Sequence, residues 1–139
     1  MLVKKKLRLY NRLKQVPIVE PFILSFLPKY KKSLLTQIRS GILPLNIETG
    51  RYTNTPVDKR LCTLCNLRES ETEEHFICRC LNYNKFRLTL YQTLNNQFMD
   101  LPDENKIIYL INEKWKLFVI FLENAWRYRK ECLCTNIEN

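Results

Sequence analysis

Apolar residues recur along this chain at helical rather than strand spacing. Over residues 4–15, Leu9 and Leu13 stand four apart, Leu2 and Val16 continue the row, and Lys5, Arg8 and Arg12 fall on another side. That pattern predicts a short amphipathic helix with a basic face. Val16-Pro17 ends it, because the residue before a proline avoids the helical region. Pro17, Pro21 and Pro28 then punctuate an apolar connector containing Phe22, Ile23, Leu24, Phe26 and Leu27. From Pro28 the helical period returns through Leu34, Leu35, Ile38 and Ile42, with Lys32 and Arg39 seven apart on the outside. Ser40-Gly41 followed by Pro44 predicts its end.

Residues 43–61 carry Gly50, Pro56 and several Thr and Asn without a sustained period, and read as an ordered loop. Tyr83, Phe86, Leu90 and Leu94 make the apolar row of a helix running to about Phe98. Leu101-Pro102-Asp103-Glu104 sets proline and acids at the mouth of a short helix over 103–112, as the helix dipole favours. The longest helix, over about 113–131, shows Trp115, Phe118, Val119, Leu122 and Trp126 in one broad stripe, with Ile120 and Phe121 off it. Such a helix is either the centre of a small bundle or has a spare face for a partner. The tail 132–139 reads as polar and frayed.

Composition narrows the class. With 139 residues, 45% of them hydrophobic and only two glycines, the chain is expected to be one globular domain, or one core plus a small metal-held lobe, built mainly from helices. Its net charge is +9, and residues 1–61 hold 13 Lys+Arg against 3 Asp+Glu while 62–139 hold 10 against 11. The cationic surface therefore belongs to the N-terminal half, where a polyanion such as nucleic acid is the natural partner. Arg51, Tyr52 and Arg60 on the loop place cations beside an aromatic ring, the combination that grips phosphate and stacks on a base in single strands. Met1–Lys6 turns to charge before any apolar region forms, so no secretory signal is expected. The most apolar stretch, Ile107 to Leu122, is broken by Asn112, Glu113, Lys114 and Lys116, so no membrane span is expected either.

Six cysteines in so short a chain raise either a disulfide framework or a metal. They fall in pairs at 62/65, 78/80 and 132/134, and the single histidine, His75, lies among the first four. Cys62, Cys65, His75 and Cys80 spell C-x2-C-x9-H-x4-C, three thiolates and an imidazole for a tetrahedral Zn2+. Cys78 is the alternative to Cys80 as fourth ligand. Four protein ligands leave no open position, so one structural zinc is expected, in a reducing, intracellular compartment. Glu69, Glu71, Glu73 and Glu74 make the intervening loop acidic, which turns phosphate binding away from this face. No glycine-rich phosphate loop and no His-Glu-x-x-His are present, and no catalytic residue is expected.

A wider set of residues is familiar in its order. Gln37 to Leu45, Glu48 to Tyr52, Arg60 to Cys65, Glu73 to Phe76, and Cys80 with Tyr83 and Arg87 resemble the zinc-binding segment downstream of the polymerase in animal non-LTR retrotransposon reverse transcriptases. The resemblance runs from about Leu7 to Arg129. It implies that Cys62, Cys65, His75 and Cys80 are the ligands of a zinc element associated with nucleic-acid handling. The Tyr/Phe-x-Asp-Asp polymerase signature and a recognisable endonuclease are missing, so the resemblance implies the accessory tail of such an enzyme and not its activity.

The resulting expectation is a mainly α fold, a small helical bundle with an inserted zinc-stapled loop lobe. Its parts are a basic region 1–61, the lobe 62–80, C-terminal helices 81–131 and the tail. RNA or single-stranded DNA would be contacted by Lys5, Arg8, Arg12, Lys32, Arg39, Arg51, Tyr52 and Arg60. The other expectation is a protein-interaction module docking through the C-terminal helix near Ile120 and Phe121.

Overall fold

The computed structural model describes residues 21–137. Lys5, Arg8 and Arg12, and the helix expected over 4–15, lie outside them. The described residues form seven α-helices: α1 Pro21–Leu24, α2 Lys29–Ser40, α3 Asn46–Thr49, α4 Asn84–Tyr91, α5 Asn96–Met99, α6 Asp103–Glu113 and α7 Trp115–Ile137. Tighter turns at Val57–Lys59 and Leu81–Tyr83 and a wider, π-helical turn at His75–Arg79 complete the set. The fold is mainly α, and α2, α4 and α6 all pack on α7.

Local chemistry sets these limits. Pro28 supplies the carbonyl that receives the Lys31 and Lys32 amides at the start of α2. Gly41 closes the helix in the left-handed region at φ 68°, with Ile42 N–H returning to Gln37 O and Gly41 N–H to Ile38 O. The helix expected from Tyr83 to Phe98 is divided, because Asn95 caps a new turn by accepting the Phe98 amide at 3.0 Å. Nothing in Cys132–Thr135 breaks a helix, so α7 runs on to Ile137 where a frayed tail was expected.

The long helix is the central one. Phe118, Val119, Phe121, Leu122 and Ala125 are all buried, and Phe118 and Phe121 stack at 6.1 Å. Phe121, expected off the stripe and available to a partner, is thus in the core; Ile120 beside it is 50% exposed. The first turn of α2 is fastened to this helix by Tyr30 Oη donating to Glu123 at 2.8 Å and by Lys31 at 3.3 Å. Arg39 was expected outside and is 3% exposed. It follows Ile38 directly and stands four residues after Leu35, so it shares the edge of the inward stripe. Lys32 is half-buried and donates to Ile23 O at 2.9 Å.

Residues 62–80 join this core. Phe76 is fully buried and meets Tyr83 at 4.8 Å, Trp126 at 6.1 Å and Phe121 at 6.2 Å. Glu71, one of the four acids of the intervening loop, is 1% exposed. Its carboxylate accepts Arg129 Nη2 at 2.7 Å, Arg129 Nε at 3.0 Å and the Asn46 amide at 2.8 Å. One carboxylate thereby starts α3, holds the loop and fixes the last third of α7. Removing one partner of a buried pair strands the other charge, at about 3–5 kcal/mol. Glu71→Gln should lower unfolding stability by that order in urea titration, and Glu71→Gln with Arg129→Met should recover most of the loss.

Candidate metal centre

The cluster is assembled from a short hairpin and a helical turn. Cys62 N–H donates to Glu69 O and Glu71 N–H to Arg60 O, both at 2.9 Å, pairing Leu61 with Ser70 across the base of the loop. Arg68 takes the left-handed conformation at φ 55° as the loop closes. Cys62 and Cys65 lie on this loop, so their two-residue separation turns both sulfurs to one side. Opposite them, Thr72 Oγ1 accepts the His75 amide at 3.2 Å and begins the turn that carries the other two ligands.

The end of that turn chooses between Cys78 and Cys80. Cys80 N–H reaches five residues back to His75 O at 2.7 Å, a π-type bond that widens the last turn. The widening carries Cys80 back beside His75. Cys78 instead points to α6, with its sulfur 3.7 Å from Asp103 O, and burial pushes its pKa up to about 12. Arg87 holds the exit, Nε donating to Ile77 O at 2.8 Å and Nη2 to Cys80 O at 2.9 Å.

The ligand atoms of Cys62, Cys65, His75 and Cys80 all lie within 4.8 Å of one another. Cys62 Sγ is 3.9 Å from Cys80 Sγ, and Cys65 Sγ is 3.4 Å from His75 Nε2. A tetrahedron with metal–thiolate bonds of about 2.3 Å has sulfur–sulfur edges of about 3.8 Å. The four residues therefore fit one tetrahedral ion, and all are free of disulfides. The sulfur–sulfur hydrogen bond with Cys80 holds the Cys62 thiol well below its ordinary pKa. The hydrogen bond with Cys62 and then burial push Cys80 up, and burial raises Cys65. Burial opposes a charged His75, but Cys62 and Glu69 more than offset it and raise its pKa.

Two participants were not singled out by the sequence reading. Glu69 Oε2 lies 2.9 Å from His75 Nδ1, so Nδ1–H donates outward and Nε2 faces the sulfurs. Arg79 Nε donates to the same oxygen at 3.0 Å, and its Nη1 reaches Asp103 at 3.5 Å, linking the centre to the start of α6. In the sequence Glu69 was one acid among four; only its place opposite the imidazole distinguishes it. Of the residues assigned to nucleic acid, Arg51 and Tyr52 are exposed, and Arg51 Nη1 meets both Glu48 oxygens at 3.1 Å. Arg60 is half-buried, donating to Thr55 O at 2.8 Å and Ile47 O at 2.9 Å.

No protein-family model, curated protein or solved structure matches the chain.

Metal content should separate the two cysteines of the Cys78–Cys80 pair. Cys80→Ser loses the ion in elemental analysis of purified protein, and Cys78→Ser retains it. Glu69→Gln keeps the ligands but loses the partner that orients His75, so chelator competition should show affinity lower by about 10–100-fold. Because every ligand binds deprotonated, titrating metal into weakly buffered protein should release protons, and affinity should fall as pH is lowered.

Proposed function

We propose that the chain is a zinc-binding accessory module of the kind found in non-LTR retrotransposon reverse transcriptases, without catalysis of its own, that holds RNA or single-stranded DNA on its basic N-terminal half. The observation that carries the metal reading is the convergence of four soft ligands on one point. Three thiolates and an imidazole suit zinc and not the oxygen-seeking magnesium or calcium ions. With four protein ligands no position is open to water or substrate, so the ion acts on folding.

The nucleic-acid reading is supported by the segregation of charge, since the whole excess of +9 falls within the first 61 residues. On the described part of that half, Arg51, Tyr52 and Lys59 are each exposed in the stretch between α3 and the hairpin that carries Cys62 and Cys65. Cations interleaved with an aromatic ring suit a flexible strand whose phosphates and bases can be met separately. Among the described residues no helix is long and apolar enough to cross a membrane. The ordered residues shared with the retrotransposon segment support the same origin. The second reading, a protein partner on the C-terminal helix, rests on Ile120 with Leu88, both exposed.

Protein purified without added zinc should contain one zinc per chain. The loaded protein should bind labelled single-stranded oligomers at low salt in fluorescence anisotropy, with log affinity falling about 0.7 per phosphate contact as log salt rises. No binding to any RNA or DNA oligomer at low salt overturns the nucleic-acid reading, and loading by a metal other than zinc overturns the first part.

A further inference from the structure

A cavity of about 570 Å3 lies between α3, the loop that follows it and the turn at Val57–Lys59. That volume is in the range of about 300–1,000 Å3 that small-molecule sites occupy. Its lining is mixed in a particular way. Ile47 and Val57 give apolar walls, Arg51 and Arg60 two guanidinium groups, Glu48 one carboxylate and Asn54 an amide.

The walls are fastened before any ligand arrives. Thr55 N–H donates to Gly50 O at 2.9 Å, and the Thr53 and Thr55 hydroxyls meet at 2.8 Å. Arg60 crosses the loop on the carbonyls of Thr55 and Ile47. It passes so close to Gly50 that a Cβ there would stand 2.6 Å from Arg60 Cδ. The glycine is therefore the space in which the arginine lies. Glu48 holds Arg51 in the same manner. Little ordering is left for a ligand to impose, which favours binding.

The lining also limits the ligand. A bare phosphate would leave Ile47 and Val57 wet, and an acyl chain would strip water from the guanidinium nitrogens that Glu48 and the two carbonyls do not already meet. A group with an anionic end, a flat apolar body and a hydrogen-bonding edge satisfies all three kinds of wall. We propose that this cavity receives one unpaired nucleotide of an RNA or DNA strand. Its phosphate meets Arg51 and Arg60, its base lies between Ile47 and Val57, and Asn54 pairs with the base edge. Tyr52, next in the chain to Arg51 and exposed, offers a ring to the neighbouring base. The assignment rests on the nucleic-acid reading above and deepens it, since it requires an unstacked base and not a phosphate track alone.

The test uses the full zinc-loaded chain and fluorescein-labelled single-stranded RNA and DNA oligomers, with a duplex of the same sequence as comparison. Val57 is 46% exposed, so Val57→Trp can fill the cavity from its outer wall with no change of charge. Asn54→Asp keeps a residue type that tolerates the left-handed backbone at φ 54° and sets a carboxylate where the base edge would lie. Circular dichroism and zinc content check that both variants fold. The expected result is a loss of about tenfold or more in single-strand affinity for each variant, an unchanged salt slope for Val57→Trp, and a duplex bound more weakly than either strand. If the wild-type protein binds single strands and both variants bind as tightly, or the duplex binds equally well, the cavity assignment is overturned while the nucleic-acid reading stands. If the wild-type protein binds no oligomer at low salt, both fall together.

Discussion

The structure depends on where Glu71 finds its counter-charge. A carboxylate buried to 1% exposure is tolerable only if its oxygens are met, and here Arg129 and the Asn46 amide meet them. Arg129 is itself buried, and lies over the Trp126 ring at 5.0 Å. Its charge is held firmly, for although burial opposes it, Glu71 more than compensates and raises its pKa. The pair links three stretches that are distant in sequence, and Glu71 is only two residues past the end of the ligand loop and four before His75. The hairpin that carries Cys62 and Cys65 therefore has a fixed orientation on α7 whatever an ion would contribute within it.

That link changes how the metal centre relates to the rest of the chain. An isolated lobe of about twenty residues would owe nearly all its order to the ion. Phe76 and Ile77, which follow His75 directly, are instead fully buried in the common core. The candidate ligand cluster and the core share one short segment, so the side of the turn facing Phe121 and Trp126 is determined by packing, and the side facing the hairpin would be determined by coordination of an ion. The π-type bond from Cys80 to His75 reconciles the two demands. It moves a ligand into place without moving the two core residues between them.

Periodicity made the longer helices legible, because α2, α6 and α7 each bury an apolar stripe, with Gly41 closing α2 and Pro102 opening α6, whereas the single turn of α3 lay unseen in a segment read as loop. Spacing likewise made Cys62, Cys65, His75 and Cys80 legible as a ligand set, and their atoms do converge. What escaped was whatever depends on a partner far away in sequence. Glu69, Glu71, Glu73 and Glu74 look alike in a row, yet one faces an imidazole and another an arginine 58 residues on. Arg39 reads as a surface cation by type and occupies an inner position by geometry. Charge patterns report the composition of a face; only the fold decides which members of the pattern reach water.

The same distinction bears on the basic half. Arg60 and Arg39 contribute formal charge to it, but Arg60 has two of its nitrogens on backbone carbonyls and Arg39 is buried. A surface that held a polyanion by charge alone would have kept such cations in water, where each could release a counterion. Placing Arg60 across Gly50 and onto the Ile47 carbonyl costs it reach and gains it a fixed position. A fixed guanidinium at the wall of a cavity suits recognition of one group in one geometry, whereas a solvated one suits any phosphate that passes. On the proposed reading the excess of charge would draw a strand toward this half, and the anchored arginine beside Asn54 and Val57 would be the part of it equipped to distinguish what arrives.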